Sequence, residues 1–172
     1  MPVSIATIED IPELVSLING AYRGEASKKG WTTEAYLLEG EFRTDIPTLT
    51  EIMNRPHAII LKFATAERII TGSVFLEKQE RGLYLGMLSV SPLQQAGGIG
   101  KQLMQAAEQY ARDNNCASIF MYVISLRSEL IGWYERLGYQ LTEERKPLPD
   151  DNRFGVPTQP LEFAIMEKRI KQ

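Results

Sequence analysis

Between an apolar run that ends at Val90 and a helical pattern that opens at Ile99 lies the turn Gln95-Ala-Gly-Gly-Ile-Gly100. Strand, glycine-rich turn and helix in this order form a general device for holding phosphate. The first N–H groups of a helix have no partner within it, and its dipole places roughly half a positive charge there. Glycines let the backbone approach an anion with no Cβ in the way. The spacing excludes two common versions of the device. A dinucleotide turn, Gly-x-Gly-x-x-Gly, fails because Gly98-Ile99-Gly100 is followed by Lys101, Gln102 and Leu103. A P-loop would need glycine at Gln95 and Ser or Thr at Gln102. From the glycines alone, a turn with no ligand stays open.

The flanking sequence sets this turn in a mixed α/β order. Pro2 to Thr7 suits a short strand. Asp10 and Glu13 read as a capping box ahead of Ile11, Leu14, Val15, Ile18, Ala21 and Tyr22, which recur at helical spacing until Gly24. Residues 24–46 are polar and irregular, a length that suggests a functional loop. Pro47 to Asn54 suits a helix. His57–Ala64, Arg68–Lys78 and Gly82–Val90 are short apolar runs between turn residues, the pattern of an antiparallel meander. Ile99, Leu103, Met104, Ala107, Tyr110 and Ala111 then mark one helix face. Ser118–Ile124 is a buried-strand pattern, and Leu130, Trp133, Tyr134 and Leu137 mark a further helix stopped by Gly138. Tyr139–Glu144 and Leu161–Lys168 are the final strands, separated by a proline-rich excursion from Lys146 to Pro160 that carries Asp150-Asp151.

Composition bounds the function classes. With 172 residues, 44% of them hydrophobic and 24% charged, the chain reads as one globular domain over 1–172 with a sizeable core. A net charge of −3 offers no electrostatic reason to bind nucleic acid or an anionic membrane. The single cysteine, Cys116, excludes an internal disulfide and a cysteine-rich metal site, and it reads as a small buried filler. No signal-like segment and no run near the roughly 18 apolar residues of a membrane span are visible, so a cytoplasmic location is expected.

The residues around the turn narrow the anion. The string from Gly86 to Met104, with Val90-Ser91-Pro92 ahead of Gln95, Gly98 and Gly100, resembles the signature of the GNAT acetyltransferase superfamily. That signature is a strand ending in an aliphatic residue, x-Pro, then [Arg/Gln]-x-x-Gly-x-[Gly/Ala] opening a helix. Ile131-Gly-Trp-Tyr-Glu-Arg-Leu-Gly-Tyr139 is similar to a second block of the same family, at the usual separation. The resemblance is specific over residues 82–144 and consistent in element order elsewhere. It implies a central, mostly antiparallel sheet of six to seven strands flanked by helices, with a splayed parallel strand pair forming a CoA site.

It also implies roles. Leu88 and Val90 would offer backbone groups to the acetyl carbonyl and pantetheine amides of acetyl-CoA, which joins the strand edge by β-augmentation. Backbone N–H groups of Gln95, Ala96, Gly97, Gly98, Ile99, Gly100 and Lys101 would hold the pyrophosphate. Tyr134 matches the family tyrosine near the CoA sulfur. A phenol of pKa about 10 can protonate a departing thiolate of pKa near 8.5; the same tyrosine could instead be plain core. Arg127 stands where relatives often carry Asn, and could meet the pantetheine arm or a CoA phosphate. Gly132 costs a helix about 1 kcal/mol relative to Ala, which cofactor approach or packing would explain.

The acceptor side is less legible. Acyl transfer to an amine needs a neutral nucleophile, but His57 reads as an exposed or satisfied residue, and Glu34, Glu39, Glu41 and Glu77 as solvated carboxylates, more readily than as a base. In relatives the region after the first helix covers the acceptor pocket, so Trp31, Glu34 and Arg43 are the candidate acceptor contacts. Trp31 could stack on the acceptor or merely anchor its loop. The excursion from Lys146 to Pro160 would close the other side. The expected activity is N-acetylation of a small-molecule amine. A peptide acetyltransferase and an acyl-CoA sensor without turnover are the alternatives, and frequent dimerisation among relatives allows a homodimer.

Overall fold

The computed structural model describes residues 2–94, 97–149 and 152–171. Five helices appear among them: α1 (Ile11–Tyr22), α2 (Gly24–Ser27), α3 (Ile46–Met53), α4 (Ile99–Asp113) and α5 (Ser128–Arg136). The strands are β1 (Val3–Ile5), β2 (Leu38–Glu39), β3 (Ala58–Ala64), β4 (Ile70–Lys78), β5 (Leu83–Val90), β6 (Ser118–Ile124), β7 (Gln140–Pro147), β8 (Val156–Pro157) and β9 (Glu162–Arg169). Seven of them form one sheet in the order β1-β3-β4-β5-β6-β9-β7, and β2 pairs with β8 separately. Every pairing in the large sheet is antiparallel except β5 with β6. The expected mixed, mostly antiparallel sheet is therefore present. Its edge strand β7 is charged and exposed along most of its length, which discourages pairing with another sheet.

Helices cover both faces. α4 and α5 bury Leu103, Met104, Ala107 and Ile131 against Leu76, Leu85 and Met121. On the opposite face α1 and α3 bury Leu14, Ile18 and Leu49 against Ile60 and Phe75. With a cover on each side, β4 reads as a continuous buried run from Ile70 to Leu76 rather than an alternation. Gly72 lies on that run because α4 approaches closely. A Cβ there would come within 2.6 Å of Ile99 Cγ2 and 3.0 Å of Leu103 Cδ1.

Several local expectations need adjusting. The cap ahead of α1 lies one turn earlier than Asp10 and Glu13: the Asp10 carboxylate accepts from the Thr7 N–H at 2.9 Å, and a short 3-10 turn, Ile8–Asp10, leads into α1. Glu13 instead accepts from the Ile70 N–H at 2.8 Å, tying α1 to β4. A tertiary donor thus takes the carboxylate that spacing alone assigned to a cap. α3 begins at Ile46 because the Asp45 side chain caps Thr48 N–H at 2.8 Å and Pro47 suits the first turn. Its expected span was shifted by one residue. The supposedly irregular stretches 24–46 and 146–160 contain α2, β2 and β8, elements too short to show a period. The stop after α5 is as read, since Gly138 takes φ +96° and donates to Glu135 C=O at 2.9 Å.

Candidate active site

β5 and β6 pair only at Leu83↔Ile119 and Tyr84↔Phe120, so their C-terminal halves diverge. The cause lies on the other edge of β5. Ser73 to Phe75 of β4 faces Ser89 to Gly86, which inserts one extra residue in β5. Met87 sits in that bulge with φ +50°. The phase shift explains why Leu85 and Leu88, three residues apart, both enter the same core. A bulge bends and twists its strand, which turns the end of β5 away from β6. Tyr22, at the end of α1, donates its hydroxyl to the Leu88 carbonyl across the bulge. The available sequence signal was Gly86, a glycine inside a strand pattern.

Beyond the splay stands the start of α4. Its cap residue Gly98 takes φ +72° and ψ 15°, has no side chain to cap the helix, and has nothing within 4 Å of the position a Cβ would occupy. Gly97, Gly98 and Lys101 are exposed, whereas Ile99 is buried against Gly72 and anchors the turn from below. Gln95 and Ala96 lie outside the described residues. The first turn of this 15-residue helix carries no acidic residue, and Gly98 leaves open space at its cap, so its N–H groups suit an anion. Together with the diverging strands, this fits a phosphate-bearing acyl thioester lying along the edge of β5. Gly132 is not required by packing: a Cβ there would meet only Arg136 Nη1, at 3.6 Å.

A cavity of about 320 Å³ opens at the diverging end of β5, and Leu88, Tyr134, Arg127, Glu34 and Arg43 are all on its wall. Leu88 and Tyr134 thus meet in space although 46 residues separate them in the chain (134 − 88). Val90 is buried beside α4 and is not on that wall. Tyr134 is 5% exposed, and burial pushes its phenol well above the usual range, so it stays protonated through neutral and mildly alkaline pH. Burial likewise pushes Tyr22 up to about 12.

Glu34 is the centre of the charge arrangement. It accepts from Arg23 Nη1 at 2.7 Å and from Arg127 Nη1 at 3.4 Å. Burial alone would raise its carboxyl, but the guanidiniums of Arg127, Arg23 and Arg43 outweigh it and hold the group below the ordinary carboxylate range. Glu34 is therefore ionised and weakly basic. Arg127 points inward to Glu34 and to the Trp31 carbonyl at 3.3 Å. Trp31 does not line the cavity. Its ring lies 4.6 Å from that of Trp133 and packs on Gly100, where a Cβ would come within 3.0 Å of Trp31 Cζ2. It anchors its segment at the start of α4 and against the middle of α5. The other candidate bases, His57, Glu39, Glu41 and Glu77, are not on the cavity wall.

Two segments that look unrelated in the sequence roof this cavity. Leu38↔Pro157 and Glu39↔Val156 pair as β2 and β8, and Thr158 N–H donates to Leu37 C=O at 2.9 Å. Gly155 makes the join with φ +135°, in contact range of Arg23 and Leu38. Sequence reasoning missed Tyr22, Arg23, Tyr84 and Tyr122 as wall residues. Tyr22, Tyr84 and Tyr122 sit in a helix or strands whose periodicity signalled only burial, and Arg23 is the extended residue that ends α1. Asp150 and Asp151 lie outside the described residues. Among the described residues no group of three or more His, Cys, Asp or Glu could hold a metal ion, and no helix is long and apolar enough to cross a membrane.

A splayed parallel pair, a glycine-capped helix and a buried tyrosine at a roofed pocket define the fold of an acyltransferase that draws on a phosphate-bearing donor. The sequence profile described as the acetyltransferase (GNAT) family matches residues 14–139, and the chain belongs to that family. Among solved structures, the ribosomal-protein-S18-alanine N-acetyltransferase of Escherichia coli is similar at 15% identity and TM-score 0.73, with 99% of this chain and 94% of that one covered. The ribosomal-protein-alanine N-acetyltransferase of Brucella melitensis is similar at 17% identity and TM-score 0.72, with 98% and 99% covered. The yncA protein of Salmonella typhimurium, solved with its cofactor acetyl-CoA, is similar at 15% identity and TM-score 0.70, with 99% and 94% covered. At these identities the likeness is one of fold. No curated protein sequence matches the chain.

Proposed function

We propose that this chain is an acetyl-CoA-dependent N-acetyltransferase of a small-molecule amine, with residues 1–172 acting as one catalytic unit. The roofed cavity at the diverging end of β5 carries the reading. Its β2–β8 cover suits a compact acceptor better than a polypeptide chain threading past the site. Acetyl-CoA supplies the activated thioester. In the proposed arrangement the N–H groups of residues 95–101 hold the pyrophosphate, and backbone groups of Leu88 and Val90 align the acyl arm. Arg127 braces the wall through Glu34.

The amine nitrogen bonds to the acyl carbon as the carbon–sulfur bond breaks. Tyr134 donates its phenolic proton to the departing sulfur and recovers one from water, which takes the proton released by the amine. Glu34, already shared by Arg23 and Arg127, is a poor proton acceptor. The reading therefore assigns the proton to water rather than to a dedicated base.

The test pairs two measurements. Acetyl-CoA at millimolar concentration is expected to raise the melting temperature by linkage, and a panel of small amines is expected to contain at least one that drives acetyl-CoA-dependent thiol release. Release only with peptides bearing a free N-terminus would replace the small-molecule reading. A melting shift with no release from any amine or peptide would mark a binding protein.

A further inference from the structure

The cavity wall carries an unbalanced charge. Among its described residues are three guanidiniums, of Arg23, Arg43 and Arg127, and one carboxylate, Glu34. Glu34 is already committed to Arg23 and Arg127. Arg43 is different. Its guanidinium lies over the Tyr22 ring, 5.7 Å from the centroid, and forms no ion pair with any carboxylate of the described residues.

Its main chain is also well fixed. Asn19 Oδ1 accepts from the N–H groups of both Arg43 and Thr44, and Asn19 Nδ2 donates to Thr44 C=O at 3.1 Å. A half-buried guanidinium on a firmly held backbone, on the wall of a roofed cavity whose carboxylate is paired with other arginines, has the chemistry to receive an anion. A guanidinium presents paired N–H donors that match a carboxylate.

Tyr22 gives the spacing. Its ring lies under Arg43 and its hydroxyl donates to the carbonyl of Leu88, the wall residue at the bulge. Arg43 and the proposed acyl site are thus within one tyrosine side chain of each other, a short span for a bound molecule. The remaining wall is apolar and aromatic, including Leu38, Met87, Tyr122, Leu130 and Phe163.

We propose that the acceptor is a free amino acid with an apolar side chain, its carboxylate held by Arg43 and its amine presented beside Leu88 and Tyr134. This rests on the N-acetyltransferase reading above and narrows it, because a peptide N-terminus carries a neutral amide where a free amino acid carries a carboxylate.

The experiment compares L-phenylalanine, L-leucine and L-methionine with their carboxamides as acceptors for the acetyl-CoA-loaded protein. The amide's amine is the less basic and more available as free base, so a preference for the acids cannot arise from amine reactivity. At least one acid is expected to exceed its amide in kcat/KM by roughly tenfold to a hundredfold, the range of a hydrogen bond to a charged group. Arg43→Gln should close that gap and Arg43→Lys should partly restore it. Amides used as well as acids throughout the panel, or a gap that persists in Arg43→Gln, overturns the proposal.

A binding arm separates this failure from failure of the activity itself. N-acetyl-L-phenylalanine and its amide are titrated calorimetrically into the CoA-saturated protein, where no turnover is needed. Tighter binding of the acid, lost in Arg43→Gln, supports the anion site even if no amine drives thiol release. Equal binding, or none, sinks it.

Discussion

Glu34→Gln removes the carboxylate that Arg23 and Arg127 share inside the cavity wall. Breaking a buried pair costs far more than an exposed one, and chemical denaturation at neutral pH should show a loss of about 3 kcal/mol. The effect carries a sign in pH. The folded Glu34 carboxyl is held below its unfolded value of about 4.3. Its contribution is therefore complete above that value and is lost as pH falls through the lower, folded one. The difference between wild type and Glu34→Gln should accordingly shrink in acid; a constant difference would mean that the pairing is not what Glu34 contributes. Tyr134→Phe tests a separate idea at this scale. Saturating turnover should fall roughly a hundredfold, as loss of a general acid requires, with acetyl-CoA affinity nearly unchanged. Normal turnover would make Tyr134 a packing residue.

At the scale of elements, two backbone features build the donor side: the bulge at Met87 and the left-handed cap at Gly98. Gly98→Ala meets no neighbour but must still adopt φ +72°, which costs about 1 kcal/mol for a residue with a Cβ. The expected result is a small drop in stability with a clear loss of acetyl-CoA affinity, because the relaxed turn would tilt the helix N–H groups. Calorimetric titration beside thermal melting reads both quantities. An unchanged affinity would move the pyrophosphate away from this turn. The turn, α4 and the strand ahead of it were all readable, since local spacing and helical period specify them. The bulge was not, apart from Gly86, because an extra residue shows only when its partner strand is known. Glu13 misled for the same reason: its ligand, the Ile70 N–H, is 57 residues away.

For the molecule as a whole, the site depends on two long excursions meeting. Gly155→Ala would force a Cβ to within 3.1 Å of Leu38 Cβ and 3.2 Å of Arg23 Nε at a φ of +135°. It is expected to unzip β2 from β8 and raise the acceptor KM while acetyl-CoA still shifts the melting temperature. Equal loss of both would mean that the roof is part of the general scaffold. The order of strands and helices, the glycine turn and the resemblance carried by Gln95, Gly98, Gly100 and Tyr134 came from the sequence by itself. These rest on local propensity and short-range spacing, which a chain displays without folding. Only the tertiary structure decided that Glu34 and Arg43 face the cavity while Trp31 packs on Trp133 and Gly100. It also brought Tyr22 onto the Leu88 carbonyl and left Arg43 without an ion pair among the described residues. Those relations join residues tens of positions apart, and no period or motif encodes which side of a loop will face the sheet.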